Sequence, residues 1–233
     1  MRRGTGQKII DAVTFPLRAL CLFHEDRWGL SALSTERFDY VAREVVGYCL
    51  DIGCGRYNRF VTQFLGGSGR GIDVFLYEGL SDENIVKDLT HFPFDENTFD
   101  SVTFIACINH VPEPSRDAEL SEAYRVLRPG GNVIVTMGHP VAEVLVHKVV
   151  NVYDRLFRTN YDMDSERGME EDEAYFLTDT EITSRLEKAG FLNIHRKYFA
   201  TQWGLNHLFV GWKQPDSDPV AMQNELSEVG AIR

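Results

Sequence analysis

Two glycines one position apart follow an acidic residue in the run Leu50-Asp51-Ile52-Gly53-Cys54-Gly55. Glycine lacks a Cβ and reaches positive φ at low cost, so this run can turn sharply and bring its backbone close to a bulky ligand. A helix N-terminus normally follows such a turn and receives polar groups. The pattern predicts a nucleoside-binding turn after a first strand, Tyr48 to Ile52.

Several motifs follow this turn in a fixed order. Asp73 ends a second short apolar run, Asp88-Leu89 follows a third, and Asn97 to Val102 leads into a fourth; Leu127-Arg128-Pro129-Gly130-Gly131 then precedes the apolar run Val133 to Val135. In the order and spacing of these motifs the chain resembles the class I S-adenosylmethionine-dependent methyltransferases, in the branch that includes small-molecule and quinone methyltransferases. The resemblance covers roughly residues 34 to 213, which makes it more specific than a lone glycine pair.

The resemblance implies an α/β fold with a Rossmann-like doubly wound sheet. The sheet is expected to be mostly parallel, with helices on both faces and a C-terminal antiparallel hairpin strand. The expected later strands are Ser101 to Ala106 (the fourth), Asn132 to Met137 (the fifth), and the hairpin Phe191 to Phe199 with His207 to Lys213. Only 15 residues separate Asp73 from Asp88, too few for a full crossover helix and a good third strand, so we expect one helix to be reduced to a loop.

Three helices are predicted from caps and periodicity. Ser34 is expected to cap a helix that ends at Gly47. Apolar residues at helical spacing, with Leu127 as the last, mark the inner face of a second helix that stops at Pro129. Thr178 with Glu181 forms a capping box for a third helix, closed by Gly190. The predicted inner faces comprise Phe38, Val41, Ala42, Val45; Leu120, Ala123, Tyr124, Leu127; and Ile182, Leu186, Ala189.

The resulting division is an N-terminal amphipathic lid segment over 1–33, a methyltransferase domain over 34–213, and a polar tail over 214–233. Within the domain, residues 138–177 are an insertion that the resemblance places over the acceptor. It is predicted to contain an amphipathic helix from Val141 to Phe157, followed by an acidic run. The structural alternative for the acidic run is a solvated loop without a role at the acceptor. In the N-terminal segment, residues close to helical spacing indicate a helix that covers the cofactor site or, alternatively, binds a membrane interface. These residues are Ile9, Val13, Leu17, Leu20 and Cys21.

The resemblance also implies roles for individual residues. S-adenosylmethionine is the expected cofactor and S-adenosylhomocysteine the product. The predicted cofactor-binding residues are Asp51, Gly53, Cys54, Gly55, Asp73, Val74, Asp88, Leu89, Ile105 and Ala106. Asp51 stands where the family places an acid near the cofactor's ammonium group, Asp73 can accept hydrogen bonds from both ribose hydroxyls, and Asp88 can accept one from the adenine amino group. For both Asp73 and Asp88 a purely structural turn cap is the alternative.

Methyl transfer requires little beyond holding the acceptor in line with the methyl carbon, but an oxygen or neutral nitrogen acceptor needs a base. His110 and His139, each just beyond the end of a strand, are the candidate catalytic residues, with a structural histidine as the alternative for either. No Asp/Asn-Pro-Pro-Tyr/Phe motif follows the fourth strand, where Ala106 to His110 stands instead. This absence argues against methylation of nucleobase amines or protein amides.

Composition narrows the partners. The net charge of −11 disfavours a nucleic-acid substrate, because phosphate neutralisation needs a basic face. The four cysteines lack metal-ligand spacing, so we expect no metal and reduced thiols in a cytoplasmic protein. The interrupted N-terminal apolar segment is too short and too charged to span a bilayer, although peripheral membrane contact stays open. The expected acceptor is a small molecule, apolar if Phe15, Phe23 and Trp28 line its pocket, and the oligomeric state is left open.

Two alternatives to an active enzyme remain. Tyr57 stands where a third glycine is usual, which favours a non-catalytic cofactor-binding or regulatory protein with the same fold. A nicotinamide-dependent oxidoreductase is the other alternative. Two features count against an oxidoreductase. Asn58 occupies the last glycine position of the dinucleotide fingerprint, and the Leu-Arg-Pro-Gly-Gly turn has no role in such an enzyme.

Overall fold

A six-stranded mixed sheet organises the molecule. The computed structural model describes residues 4–20, 26–138 and 177–216, and the strand order within them is β2-β1-β3-β4-β6-β5. Strands β1 to β4 run parallel, and β6 pairs antiparallel with both β4 and β5. This arrangement confirms the predicted Rossmann-like sheet with its antiparallel C-terminal hairpin. The strands are β1 Cys49–Ile52, β2 Gly69–Ile72, β3 Phe99–Ile105, β4 Leu127–Gly138, β5 Leu192–Tyr198 and β6 Asn206–Trp212.

Helices cover both faces of this sheet. In β4, Val133 and Val135 join one core cluster, and Ile134 between them joins the other, as the alternation of side chains along a strand requires. The first cluster includes residues of the helices α3 (Glu113–Val126) and α4 (Asp179–Lys188), and the second includes Val41 of the helix α2 (Leu33–Val41). Each fully buried aliphatic or aromatic side chain contributes about 1.5–3 kcal/mol. The helices are α1 Thr5–Leu20, α2 Leu33–Val41, α3 Glu113–Val126 and α4 Asp179–Lys188.

The connections after β1 and β2 are shorter than a doubly wound fold usually has. The expectation of an α-helix directly after the glycine turn is wrong. A 3-10 turn at Arg56–Asn58 and one π turn at Phe60–Phe64 form the connection to β2 instead. After β2, Ile85 makes only an isolated parallel bridge to Asp73. The expected reduction of this crossover to a loop is confirmed. The strand predicted as the fourth, Ser101 to Ala106, is observed as Phe99–Ile105 and is the third in the chain.

Tertiary contacts move two helix ends away from their predicted positions. Asp26 accepts a hydrogen bond from the Ala32 N–H at 2.6 Å, so α2 begins directly after Ala32 and Ser34 is not its cap. The helix ends at Val41 rather than at Gly47, because Ser101 holds Val46 through both its N–H and its C=O.

The other two predicted helices hold with smaller changes. Leu127, predicted as helical, is the first residue of β4. Thr178 caps α4 by accepting from the Glu181 N–H, as predicted.

The amphipathic pattern correctly predicts that α1 is a helix. The expectation that its apolar stripe packs against the rest of the protein is wrong, because the stripe is exposed. Ile9, Val13 and Leu17 are 61%, 74% and 50% exposed, whereas Arg18 is fully buried beside Glu36 on α2. No helix in the described ranges is long and apolar enough to cross a membrane.

Some predicted features lie outside the described residues. They are His139, the helix from Val141 to Phe157, the acidic run of the insertion, Cys21, Phe23 and most of the 214–233 tail.

Candidate functional site

The carboxyl ends of β1, β2 and β3 meet at one edge of the sheet. In the paired strands Asp51 lies opposite Gly71 on one side and Thr103 on the other, and Asp73 follows β2 directly. Ligands of open α/β sheets bind at this edge. The structure therefore brings the first two predicted carboxylates and the glycine turn together.

The glycine turn is held tightly at its start and open at its end. Gly53 has φ +70° and its N–H donates to the Ile72 carbonyl at 2.9 Å; a Cβ there would lie 2.7 Å from the Cys107 Cβ. Gly55 has φ +61°, and none of the described atoms comes within 4 Å of a Cβ at this position. Gly53 thus fits the fold closely, whereas the open space beside Gly55 can receive a ligand.

Asp73 braces this turn. Its Oδ2 accepts from the Gly55 N–H at 2.9 Å and its Oδ1 accepts from the Phe75 N–H at 3.1 Å, while the residue is only 5% exposed. The second contact is the turn cap that stood as the structural alternative. Because a carboxylate has about four acceptor sites, Asp73 keeps acceptor capacity for a ligand's hydroxyl groups. Its ribose role stays a prediction.

Asp51 is a buried carboxyl without a cation beside it in the described structure. Its Oδ1 accepts from the Thr103 Oγ1 at 2.6 Å. Burial raises the pKa of Asp51 to about 7; the Thr103 hydrogen bond opposes this and the nearby Asp73 charge adds to it. Burial and the same carboxylates also raise the pKa of the Cys54 and Cys107 thiols. A cationic group entering here would favour the ionised form of Asp51.

Tyr57 and Asn58, which replace the usual glycines, adopt φ of +61° and +44°. The Tyr57 N–H donates to the Glu78 carbonyl at 2.8 Å, and its ring lies against Gly79, where a Cβ would come within 2.3 Å of it. The phenol therefore leans toward the loop after β2 and leaves the Cβ side of Gly55 open. The turn achieves its curvature with left-handed non-glycine residues instead of a third glycine.

The predicted adenine end differs from this buried end. Asp88 is exposed, and its Oδ1 accepts from the Thr90 N–H at 2.9 Å and from the Thr90 Oγ1 at 2.5 Å. These hydrogen bonds lower the pKa of Asp88. Leu89 is half-buried, and Val74 is 40% exposed. The local cap of Asp88 is present, and its contact with adenine stays a prediction.

The end of β3 closes the third side of the edge. Ala106 has φ +52° and its N–H donates to the Thr136 Oγ1 at 2.9 Å. A non-glycine residue in this region costs about 1–2 kcal/mol, and such conformations cluster at functional sites. His110 lies in the following turn, half-buried, with its N–H donating to the Cys107 carbonyl at 2.8 Å. The location of His110 fits a candidate base, whereas its catalytic role is untested.

Glu119 is a candidate that the sequence analysis missed. It is 3% exposed on the inner face of α3, and its Oε2 has no hydrogen-bond partner within the described ranges. Burial, with the Asp88 charge as a second cause, raises the pKa of Glu119 to about 8. The signal was its helical spacing, because Arg116, Glu119, Leu120 and Ala123 share one face.

The part of the chain that forms this edge of the sheet is similar to known methyltransferases. A family model described as "Methyltransferase domain" matches residues 50–135. The demethylmenaquinone methyltransferase of Lactiplantibacillus plantarum is 31% identical over 47% of this chain and 48% of its own length. The ubiquinone/menaquinone biosynthesis C-methyltransferase of Brucella canis is 32% identical over 62% of this chain and 55% of its own. The chain thus spans about half the length of the curated relatives it matches.

Solved structures extend the likeness at the level of the fold. A protein of Methanosarcina mazei described as a SAM-dependent methyltransferase aligns with a TM-score of 0.52 and 20% identity over 76% of this chain and 98% of its own. A phosphoethanolamine N-methyltransferase of Haemonchus contortus, solved with S-adenosylhomocysteine, aligns with a TM-score of 0.51 and 18% identity, covering 77% and 52%. At this identity the likeness concerns the fold alone.

Proposed function

We propose that the chain carries a class I S-adenosylmethionine-dependent methyltransferase domain and transfers a methyl group from S-adenosylmethionine to a small apolar acceptor. The observation that carries the proposal is the juxtaposition of the open Gly55 backbone with the Asp51 and Asp73 carboxylates at two neighbouring strand ends. A cofactor with one cationic end and two adjacent hydroxyl groups matches this set of acceptors.

We expect each group of the cofactor to contact a particular part of the edge. Asp51 would receive the ammonium group and Asp73 the ribose hydroxyls, and Asp88 with the backbone of Leu89 would receive the adenine. The open space beside Gly55 supports close approach of the backbone. When bound, S-adenosylmethionine supplies a methyl group carried on a positively charged sulfur. The sulfur becomes a neutral thioether when the methyl group passes to the acceptor. The protein's part is to hold the acceptor in line and exclude water.

The acceptor class rests on chemistry and on the relatives' names. Both curated relatives carry the name of a quinone compound, and one name specifies C-methylation, so an aromatic quinol-like acceptor is the first class to test. The net charge of −11 supports a small molecule rather than nucleic acid as the acceptor. If the acceptor is an oxygen or nitrogen atom, we propose His110 or His139 as the base that takes its proton. We propose a cytoplasmic location.

Calorimetric titration with S-adenosylhomocysteine and with NAD, followed by methyl-transfer assays on quinols and phenols, tests this function. We expect binding of the first ligand, none of the second, and turnover with an apolar acceptor. Tight NAD binding without S-adenosylhomocysteine binding would overturn the proposal. Cofactor binding without turnover on any acceptor would favour the non-catalytic alternative, to which the replacement of the third glycine by Tyr57 gives support.

A further inference from the structure

Helix α1 is held with its polar side against the protein. The Arg18 guanidinium is fully buried, donates to the Ser31 carbonyl at 2.7 Å and pairs with Glu36 at 3.2 Å. Glu36 also accepts from the Gln202 Nε2 at 2.7 Å. Breaking one partner of a buried pair is costly. This polar anchor therefore fixes which side of α1 faces outward.

The outward side of α1 is an apolar stripe. Ile9, Ile10, Val13 and Leu17 are between 45% and 74% exposed, and their spacing places them on one face. The charged residues of α1 lie off this face. A surface helix of a soluble protein normally turns its apolar stripe inward, so an outward stripe of this kind indicates an interaction surface.

An exposed tryptophan adjoins α1. The Trp203 side chain is 60% exposed, its Nε1 donates to the Ala12 carbonyl at 2.8 Å, and its ring packs against Phe15 with centroids 5.6 Å apart. Trp28, in the segment that precedes α2, is 82% exposed. Indole rings favour the boundary between hydrocarbon and water, because one end is apolar and the other polar.

Local charge selects among the occupants that could cover this stripe. Among the first 24 residues, Arg18 and Asp11 are buried, and the remaining charged residues, Arg2, Arg3 and Lys8, are all basic, although the whole chain has a net charge of −11. A second copy seated on the same patch would bring two basic segments together, whereas an anionic surface would attract them. We propose that the outward stripe of α1, together with Trp203, is a peripheral docking surface for an anionic phospholipid bilayer.

This surface lies at the same edge as the candidate site. Helix α1 contacts the turn between β5 and β6 through Trp203, and that turn adjoins the carboxyl end of β4, where Gly138 pairs with Asn206. Docking would therefore present the cofactor edge to the lipid, in which an apolar acceptor dissolves. The docking itself does not depend on methyl transfer.

Vesicle flotation of the full chain tests the proposal. Wild-type protein should float with phosphatidylcholine vesicles that contain phosphatidylglycerol and much less with phosphatidylcholine alone. The double variant Val13→Glu/Leu17→Glu should lose about tenfold or more of the bound fraction, because two charges would enter the interface. The matched control is Leu192→Glu, since Leu192 is 46% exposed at the opposite edge of the sheet; it should bind like wild type.

Tryptophan fluorescence with brominated lipids gives a second readout. Quenching should occur in the wild type and decrease in Trp203→Phe. Failure of the wild type to float, or equal flotation of the double variant and wild type, would overturn the proposal, as would a wild-type dimer that the double variant dissociates. Titration of the same variants with S-adenosylhomocysteine separates a failure of docking from a failure of the proposed function. A variant that no longer floats but binds S-adenosylhomocysteine with wild-type affinity has lost only the docking surface.

Discussion

The two ends of the proposed cofactor cleft are constructed differently. The end at Asp51 and Asp73 is formed by paired strands and buried, with each carboxylate fixed by hydrogen bonds from other segments. The end at Asp88 is formed by a loop that makes one isolated bridge to the sheet, and Asp88 bonds only to its near neighbour Thr90 in the contacts described. The comparison suggests that binding energy is concentrated at the buried end, whereas the adenine end is adaptable.

Replacing Asp73 should give the largest effect. Asp73→Ala removes the acceptor for the Gly55 and Phe75 N–H groups as well as the proposed ribose contact, and hydrogen bonds to charged groups contribute about 1.5–3 kcal/mol each. We expect the affinity for S-adenosylhomocysteine to fall about 100-fold or more in calorimetry. Because two such bonds are lost, the free energy of unfolding should also decrease, by about 3 kcal/mol or more, measured by urea denaturation.

Asp88→Ala is the counterpart at the open end. Because the carboxylate is exposed and its described contacts are local, we expect at most about a tenfold loss of affinity and little change in the free energy of unfolding. The same calorimetric and denaturation measurements apply. A larger loss of affinity for Asp88→Ala than for Asp73→Ala would reverse the proposed difference between the two ends.

The pH dependence of binding should distinguish the ends further. Below its pKa of about 7, Asp51 is mostly neutral and cannot pair with an ammonium group. The affinity for S-adenosylhomocysteine should therefore rise between pH 6 and pH 8 (about one unit either side of this pKa) in wild type, and Asp51→Asn should flatten this rise. Thr103→Val removes the hydrogen bond that lowers this pKa, so it should move the midpoint to higher pH.

Stability should show the opposite trend with pH. The pKa values of Asp51 and Glu119 are raised by folding to about 7 and about 8, so between the ordinary carboxyl range and these values the native state binds more protons than the unfolded state. The free energy of unfolding should then fall as pH rises from about 5 to about 8. Denaturation curves across this range check the sign, and Glu119→Gln should reduce the slope. A slope that stays unchanged in both Glu119→Gln and Asp51→Asn would contradict this account.

The parts of the fold that the sequence predicted are those decided by local pattern. Asp51, Gly53 and Asp73 stand at or just after strand ends, and short apolar runs bounded by acidic residues and glycines are enough to find such ends. The 15-residue spacing from Asp73 to Asp88 predicted the shortened crossover, because chain length limits what a connection can form.

Features decided by tertiary contacts could not be predicted in the same way. Ser34 has the composition of a cap, but Asp26 fixes the chain so that α2 starts before it. The spacing of Ile9, Val13 and Leu17 identifies a shared face without saying whether it points inward, and the buried Arg18–Glu36 pair decides that. Helical spacing places Glu119 on the same face as Leu120 and Ala123, but an acidic residue is normally exposed, and only the packing of α3 on the sheet shows that Glu119 is buried.

The most direct test of the account compares two glycines that share the same positive φ. Gly55 and Gly66 both have φ +61°, and in neither case does a described atom lie within 4 Å of a Cβ, but only Gly55 lies in the proposed cleft. Both Gly55→Ala and Gly66→Ala should lose stability, and Gly55→Ala should lose more because its ψ of −167° lies in a region that essentially only glycine adopts. Only Gly55→Ala should lower the affinity for S-adenosylhomocysteine in calorimetry, by about tenfold or more. Equal affinities in the two variants, or no binding by the wild-type protein, would contradict the account.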